Sequence, residues 1–145
     1  MNLLIDADGC PVVDIALTIA KDEGVSCVIF CDTAHILEKP GAETVTVTKG
    51  ADSADFALLN RVGKRDIIVT QDYGLAAMCL AKGGRAINQN GMVFDDSNMD
   101  ALLNARHTAK QIRRAGGRLK GPAKRTRDQD KKFALRLLEL MKEDR

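Results

Sequence analysis

Apolar and polar positions along the chain alternate between short uncharged runs and longer stretches with helical spacing. Leu3-Leu4-Ile5 carries no charge and reads as a buried strand, because a central parallel strand hides both faces. The run stops at Asp6, Asp8-Gly9 forms a turn, and Pro11 suits the first turn of a helix, where its missing N–H is no loss. Val12, Val13, Ile15, Ala16, Ile19 and Ala20 then recur at helical spacing up to Gly24. Val25 to Phe30 is a second buried strand. His35-Ile36-Leu37 suggests a short helix before the Pro40-Gly41 break, and the β-branched Thr44-Val45-Thr46-Val47 reads as a third strand.

The second half repeats the alternation. A helix opens within Gly50 to Leu59, and Ile67-Ile68-Val69 is a strand followed by a helix through Leu75, Ala76, Met78, Cys79 and Leu80. Arg85-Ala86-Ile87 and Met92-Val93-Phe94 are expected as short strands about the turn at Asn90-Gly91. Asp95-Asp96-Ser97 begins a helix carrying Met99, Leu102, Leu103 and Ala105, its two acids serving as caps. Residues 113–132 are expected to be a basic loop broken by Gly116-Gly117 and Gly121-Pro122. Thr126 with Gln129 forms a capping box, and the helix over 127–142 places Phe133, Leu137, Leu140 and Met141 on one face that docks on the body. Strands alternating with helices predict one α/β domain over residues 1–145, three-layered, with a mostly parallel sheet.

Three strand-to-helix junctions carry Asp: Asp6 and Asp8, then Asp52 and Asp55, then Asp72. Each has a bland reading, since Asp ends strands and caps helices. In a parallel sheet, however, all three junctions lie along one edge, where open α/β sheets put their ligand sites. Two carboxylates ~5 Å apart repel by about 3 kcal/mol at an effective dielectric of 20, so four or five crowded together call for protons or a cation. An all-oxygen donor set favours Mg²⁺ or Mn²⁺.

Composition adds one strong feature. Residues 1–105 carry 8 basic and 15 acidic side chains and residues 106–145 carry 14 and 5, so an acidic body of −7 meets a basic tail of +9. Such a division fits an acidic metal site served by a surface that gathers polyanions. Arg113, Arg114, Arg118, Lys120, Lys124 and Arg125 are the candidate nucleic-acid contacts. Aromatics are only 3% of the chain, with no Trp, which weakens any platform of exposed rings for stacking bases. No apolar run approaches the ~20 residues of a membrane span, and no secretory signal is visible, so a cytoplasmic chain with reduced cysteines is expected. Cys10, Cys27, Cys31 and Cys79 lack zinc-site spacing; Cys10 beside the acidic turn is a candidate nucleophile without an evident base.

The motifs Asp6-Ala7-Asp8-Gly9-Cys10-Pro11-Val12, Gly50-Ala51-Asp52 through Asp55, Asp66 to Asp72 and Leu75-Ala76, with Gly121-Pro122 and Phe133, resemble the YaiI/YqxD family over almost the whole chain. That family is similar to PIN-like domains, metal-dependent ribonucleases with acids at the edge of a parallel sheet. The resemblance implies a cytoplasmic Mg²⁺- or Mn²⁺-dependent nuclease acting on single-stranded or structured RNA in preference to DNA. Asp6 matches the acid ending the first strand and would contact or bridge the metals, with Asp52 and Asp72 completing the shell. Asp55 shares with Asp52 the place of a helix-borne acid, Asp8 is an additional candidate, and Asp8 or Asp55 would hold a metal water or orient the attacking one.

Two other functions compete. Asp6-x-Asp8-Gly9 also resembles the nucleophile motif of haloacid-dehalogenase-type phosphatases, and Phe94-Asp95-Asp96-Ser97-Asn98 their late acidic motif. Against it, Cys10 stands where Thr or Val is usual, and a basic tail has no purpose with a small ester. The third reading is a protein that holds nucleic acid without cutting it.

Overall fold

The computed structural model describes residues 1–32, 38–48, 53–116 and 124–143. Five strands form one sheet: β1 (Asn2–Asp6), β2 (Ser26–Asp32), β3 (Glu43–Val47), β4 (Ile67–Val69) and β5 (Arg85–Ile87), in the order β3-β2-β1-β4-β5. Every neighbouring pair is parallel, with Leu4 of the central strand beside Val28 on one side and Ile68 on the other. Among the described residues there are five helices: α1 (Val13–Asp22), α2 (Ser53–Arg61), α3 (Tyr73–Ala81), α4 (Asp96–Arg114) and α5 (Arg127–Lys142).

The uncharged runs are strands because both sheet faces are covered, and alternate side chains go to opposite layers. Leu3 and Ile5, with Ile29, Ile67 and Val69, pack against α1 and against Phe133, Leu137, Leu140 and Met141 of α5. Leu4, Val28, Phe30 and Ile68 face the other way, onto Leu58 of α2, Leu75 and Cys79 of α3, and Phe94 and Met99 at the start of α4. The architecture is therefore α/β with helices on both faces, as the alternation of runs predicts.

The docking of α5 follows from its sequence. The Thr126 hydroxyl accepts from the Gln129 amide at 3.4 Å, and the Thr126 amide donates to Gln129 Oε1 at 2.9 Å, closing the expected capping box. At the other end Arg85 donates to the carbonyls of Leu140 (2.8 Å) and Arg65 (2.7 Å), placing a cation where the helix dipole favours one.

Three expectations need correction or restriction. Met92-Val93-Phe94 is not a strand but touches β5 through a single antiparallel bridge, Ile87 to Val93, after the turn at Gly91 (φ +88°). The basic stretch 113–132 is not one loop: α4 runs through Arg114 and α5 starts at Arg127. The expected helix at 35–37 lies outside the described residues.

Candidate active site at the carboxyl edge of the sheet

Because all five strands run parallel, their carboxyl ends share one edge. From β1 the chain steps outward to β2 and β3, then crosses back to β4 on the other side of β1. The winding reverses between β1 and β4, and a crevice opens outside the strands at such a reversal. Asp6 is the last residue of β1, and Thr70 and Asp72 follow β4 directly. The sequence thus delivers three polar residues to the reversal point.

Thr70 ties these groups together. Its side chain is 1% exposed; the hydroxyl donates to Asp6 Oδ2 at 2.8 Å and accepts from the Asp72 amide at 3.0 Å. Asp72 Oδ1 accepts from the Leu75 amide at 3.1 Å, so this carboxylate does cap α3, and the cap places it at the reversal. Burial pushes the Asp6 carboxyl above its ordinary value, the Thr70 hydrogen bond pulls it down, and the charges of Asp8 and Asp72 push it up again. Asp8 and Asp72 thus each lie within electrostatic reach of Asp6. Asp8 is oriented from β2, whose Asp32 amide donates to Asp8 Oδ2 at 3.2 Å.

Asp55 sits in the first turn of α2 and shares with Asp72 the lining of a cavity of about 260 Å³ between α2 and α3. The structure therefore gathers Asp6, Asp8 and Asp72, and joins Asp55 to Asp72 through that cavity. Asp52 lies outside the described residues. Among the described residues no three His, Cys, Asp or Glu side chains form a group that could by itself hold a metal ion.

Cys10 lies half-buried near this acidic cluster. Burial pushes its thiol up, the Val12 amide pulls it down, Asp6 pushes it up and Arg125 pulls it down. The upward balance disfavours the thiolate that a nucleophile requires. Cys27, Cys31 and Cys79 are buried free thiols, those of Cys27 and Cys79 pushed up to about 12 by burial above all. Asp95, the acid of the phosphatase-like motif, accepts from the Asn98 amide at 2.8 Å and the Ser97 hydroxyl at 2.7 Å at the start of α4, which is the capping role its position predicts.

The candidate nucleic-acid contacts fall in different settings. Arg114 ends α4 and Lys124 precedes α5, both exposed. Arg125 is a clasp: Nε donates to Asp130 Oδ1 (2.7 Å), Nη1 to Asn90 Oδ1 (2.8 Å) and Nη2 to the Gln89 carbonyl (2.6 Å). Arg113 falls in the last turn of α4 with its side chain outside the described set, and Arg118 and Lys120 lie outside the described residues. No described helix is long and apolar enough to cross a membrane.

Sequence reasoning missed Thr70 and the Asp32 amide. Thr70 looks like the β-branched tail of a strand, and its role depends on Asp6, 64 residues away. One signal was available, since a hydroxyl residue two before an Asp at a strand end can bond that Asp's amide.

The chain matches the family model described as "Uncharacterized BCR, YaiI/YqxD family" over residues 4–143. Among similar proteins, a "UPF0178 protein" of Exiguobacterium sibiricum is 56% identical over 133 residues, covering 92% of this chain and 91% of the relative. Another of Ruminiclostridium cellulolyticum is 46% identical over 142 residues (98% and 93%), and one of Alkaliphilus oremlandii 44% over 144 residues (99% and 93%). No solved structure matches. With a family model spanning nearly its whole length and relatives that match it end to end, the chain belongs to the YaiI/YqxD family.

Proposed function

We propose that this protein hydrolyses phosphodiester bonds with one or two bound Mg²⁺ or Mn²⁺ ions, RNA being preferred over DNA, in the manner of the PIN-like domains its motifs resemble. One observation carries the reading: Asp6 stands half-buried at the β1/β4 reversal, hydrogen-bonded by Thr70, and within reach of the negative charges of Asp8 and Asp72. A half-buried carboxylate raised by desolvation and by neighbouring negative charges is the arrangement a cation relieves.

The donor set fits a hard cation. It is all oxygen, and Mg²⁺ is commonly held by one or two carboxylates with waters and substrate phosphates filling the remaining positions. A closed cage of three or more protein ligands is therefore not required of the described residues. Asp6 and Asp72 would hold the cation, with Asp52 as a third ligand. When bound, the ion lowers the pKa of the attacking water and neutralises charge on the leaving oxygen. Thr70 fixes the Asp6 carboxylate, and the cap to Leu75 fixes Asp72, so neither must reorganise as charge develops. Asp8 or Asp55 would orient the attacking water and take up its proton.

The test combines binding and turnover. Calorimetric titration with Mn²⁺ should show binding to the wild type that weakens greatly in Asp6→Asn. Labelled RNA should be cut in Mn²⁺ and spared in chelator, with Asp72→Asn inactive. Equal isotherms for wild type and Asp6→Asn would falsify the metal site. Turnover of a small phosphate ester alone, with beryllium fluoride trapped on Asp6, would identify a phosphatase.

A further inference from the structure

The cavity between α2 and α3 has acids on one part of its lining and an apolar remainder. Asp55 and Asp72 share it with Phe56, Leu59, Leu75 and Met78. Phe56 is 61% exposed and Met78 45%, and both are among the few large apolar side chains left in solvent. Scattered exposed apolar residues need no explanation, but two lining one cavity beside a cluster of acids do.

The scarcity of aromatics sharpens the point. Of four Phe and one Tyr, Phe30, Phe94 and Phe133 are buried in the core, and Tyr73 packs against Phe94 with ring centroids 6.0 Å apart. Phe56 alone is exposed, one residue after Asp55 on the helix turn nearest the site. Gly74, the second residue of α3, also lines the cavity. A methyl group there would sit 3.3 Å from Asp72 Oδ1, so the glycine keeps the space beside that carboxylate clear.

We propose that this cavity is a nucleobase pocket, in which Phe56 stacks on a base of single-stranded RNA whose adjoining phosphate lies at the cation that Asp6 and Asp72 would hold. The proposal rests on the phosphodiester reading of the same edge. The lining selects the occupant. A phosphate inside the cavity would be repelled by the charges of Asp55 and Asp72. A base carries no charge and offers a flat face to Phe56 and Met78. The low aromatic content argues against a multi-ring platform, whereas one ring suffices for one base.

End-labelled single-stranded RNA and an otherwise identical abasic strand are titrated by anisotropy in Ca²⁺, against wild type, Phe56→Ala, Phe56→Leu and Phe56→Tyr. Stacking by one ring predicts that Phe56→Ala binds the base-bearing strand on the order of tenfold more weakly. Phe56→Tyr should retain affinity, Phe56→Leu should not, and the abasic strand should bind all four proteins alike. Failure of wild type to bind, equal losses on both strands, or full rescue by Leu each overturn the base pocket. Mn²⁺-dependent cleavage, lost in Asp6→Asn, is scored separately on the same strands. Cleavage without any Phe56 effect would leave the nuclease and remove the pocket; Phe56-dependent binding without cleavage would keep the pocket and remove the catalysis.

Discussion

At Asp6, burial and two neighbouring negative charges favour the protonated carboxyl, while one hydrogen bond from Thr70 favours the carboxylate. The net effect is upward, so the folded protein holds this proton more tightly than the unfolded chain does. A group raised in this sense contributes stability that is fully present below its unfolded value, near 3.8, and is lost as pH rises through the higher folded value. At neutral pH without a cation, the ionised Asp6 therefore weighs against the fold. Asparagine keeps the shape and an oxygen for the Thr70 hydroxyl but carries no charge. In chelator at pH 7, Asp6→Asn should unfold at a higher urea concentration than wild type with an unchanged slope, and the gap should close as pH falls below about 4. Added Mn²⁺ should raise the wild-type midpoint only. An Asp6→Asn protein less stable than wild type at pH 7 in chelator would show that the carboxylate is needed for the fold itself.

Helix α5 shows what an element's own residues decide. Its start is set by the reciprocal bonds of Thr126 and Gln129, and its placement by Phe133, Leu137, Leu140 and Met141 on one face. Thr126→Ala removes one acceptor for an exposed helix end, with an expected cost of about 1 kcal/mol, or roughly 3 °C in Tm for a chain of this size. A loss much larger, with altered urea slope, would mean that α5 undocks rather than frays. The capping box was legible from sequence because both partners lie within one turn; β1 to β4 were legible as uncharged or β-branched runs, and β5 as a short strand before the turn at Asn90-Gly91. What was misread depended on partners or context. Met92-Val93-Phe94 has strand-like residues, but its pairing with β5 is one bridge, Ile87 to Val93, that does not extend into a ladder. Arg113 and Arg114 were assigned to a loop for their charge, although Arg and Lys are good helix formers and the stop comes at Gly116, with φ +85°. The acids Asp6, Asp8, Asp55 and Asp72 were found because each sits at a strand-to-helix junction. Thr70 was not, because its bond to Asp6 spans most of the sheet's connectivity.

On the scale of the whole molecule, if the protein acts on RNA as proposed, an acidic edge must accept a polyanion, and the basic residues beyond position 105 would offset that repulsion. They do not all serve the same purpose. Arg125 joins Asp130 at the start of α5 to Asn90 and Gln89 in the turn after β5, and Gly91 in that turn comes so close to α5 that a Cβ would sit 2.8 Å from the Lys132 carbonyl. Replacing Arg125 would disturb this packing and confound any binding measurement. Arg114 and Lys124 are exposed and suit the test. Each phosphate contact to a single strand contributes about −0.7 to the slope of log K against log salt. If both residues meet phosphates, Arg114→Ala with Lys124→Ala should flatten the slope by about 1.4 and weaken every sequence alike, since phosphate contacts carry no base information. Binding is followed in Ca²⁺ to suppress cleavage, and Mn²⁺ affinity should be unchanged because neither residue is a proposed ligand. Parallel salt plots for wild type and the double variant would make these two cations ordinary solvated surface, and the attraction for RNA would have to come from elsewhere on the basic segment.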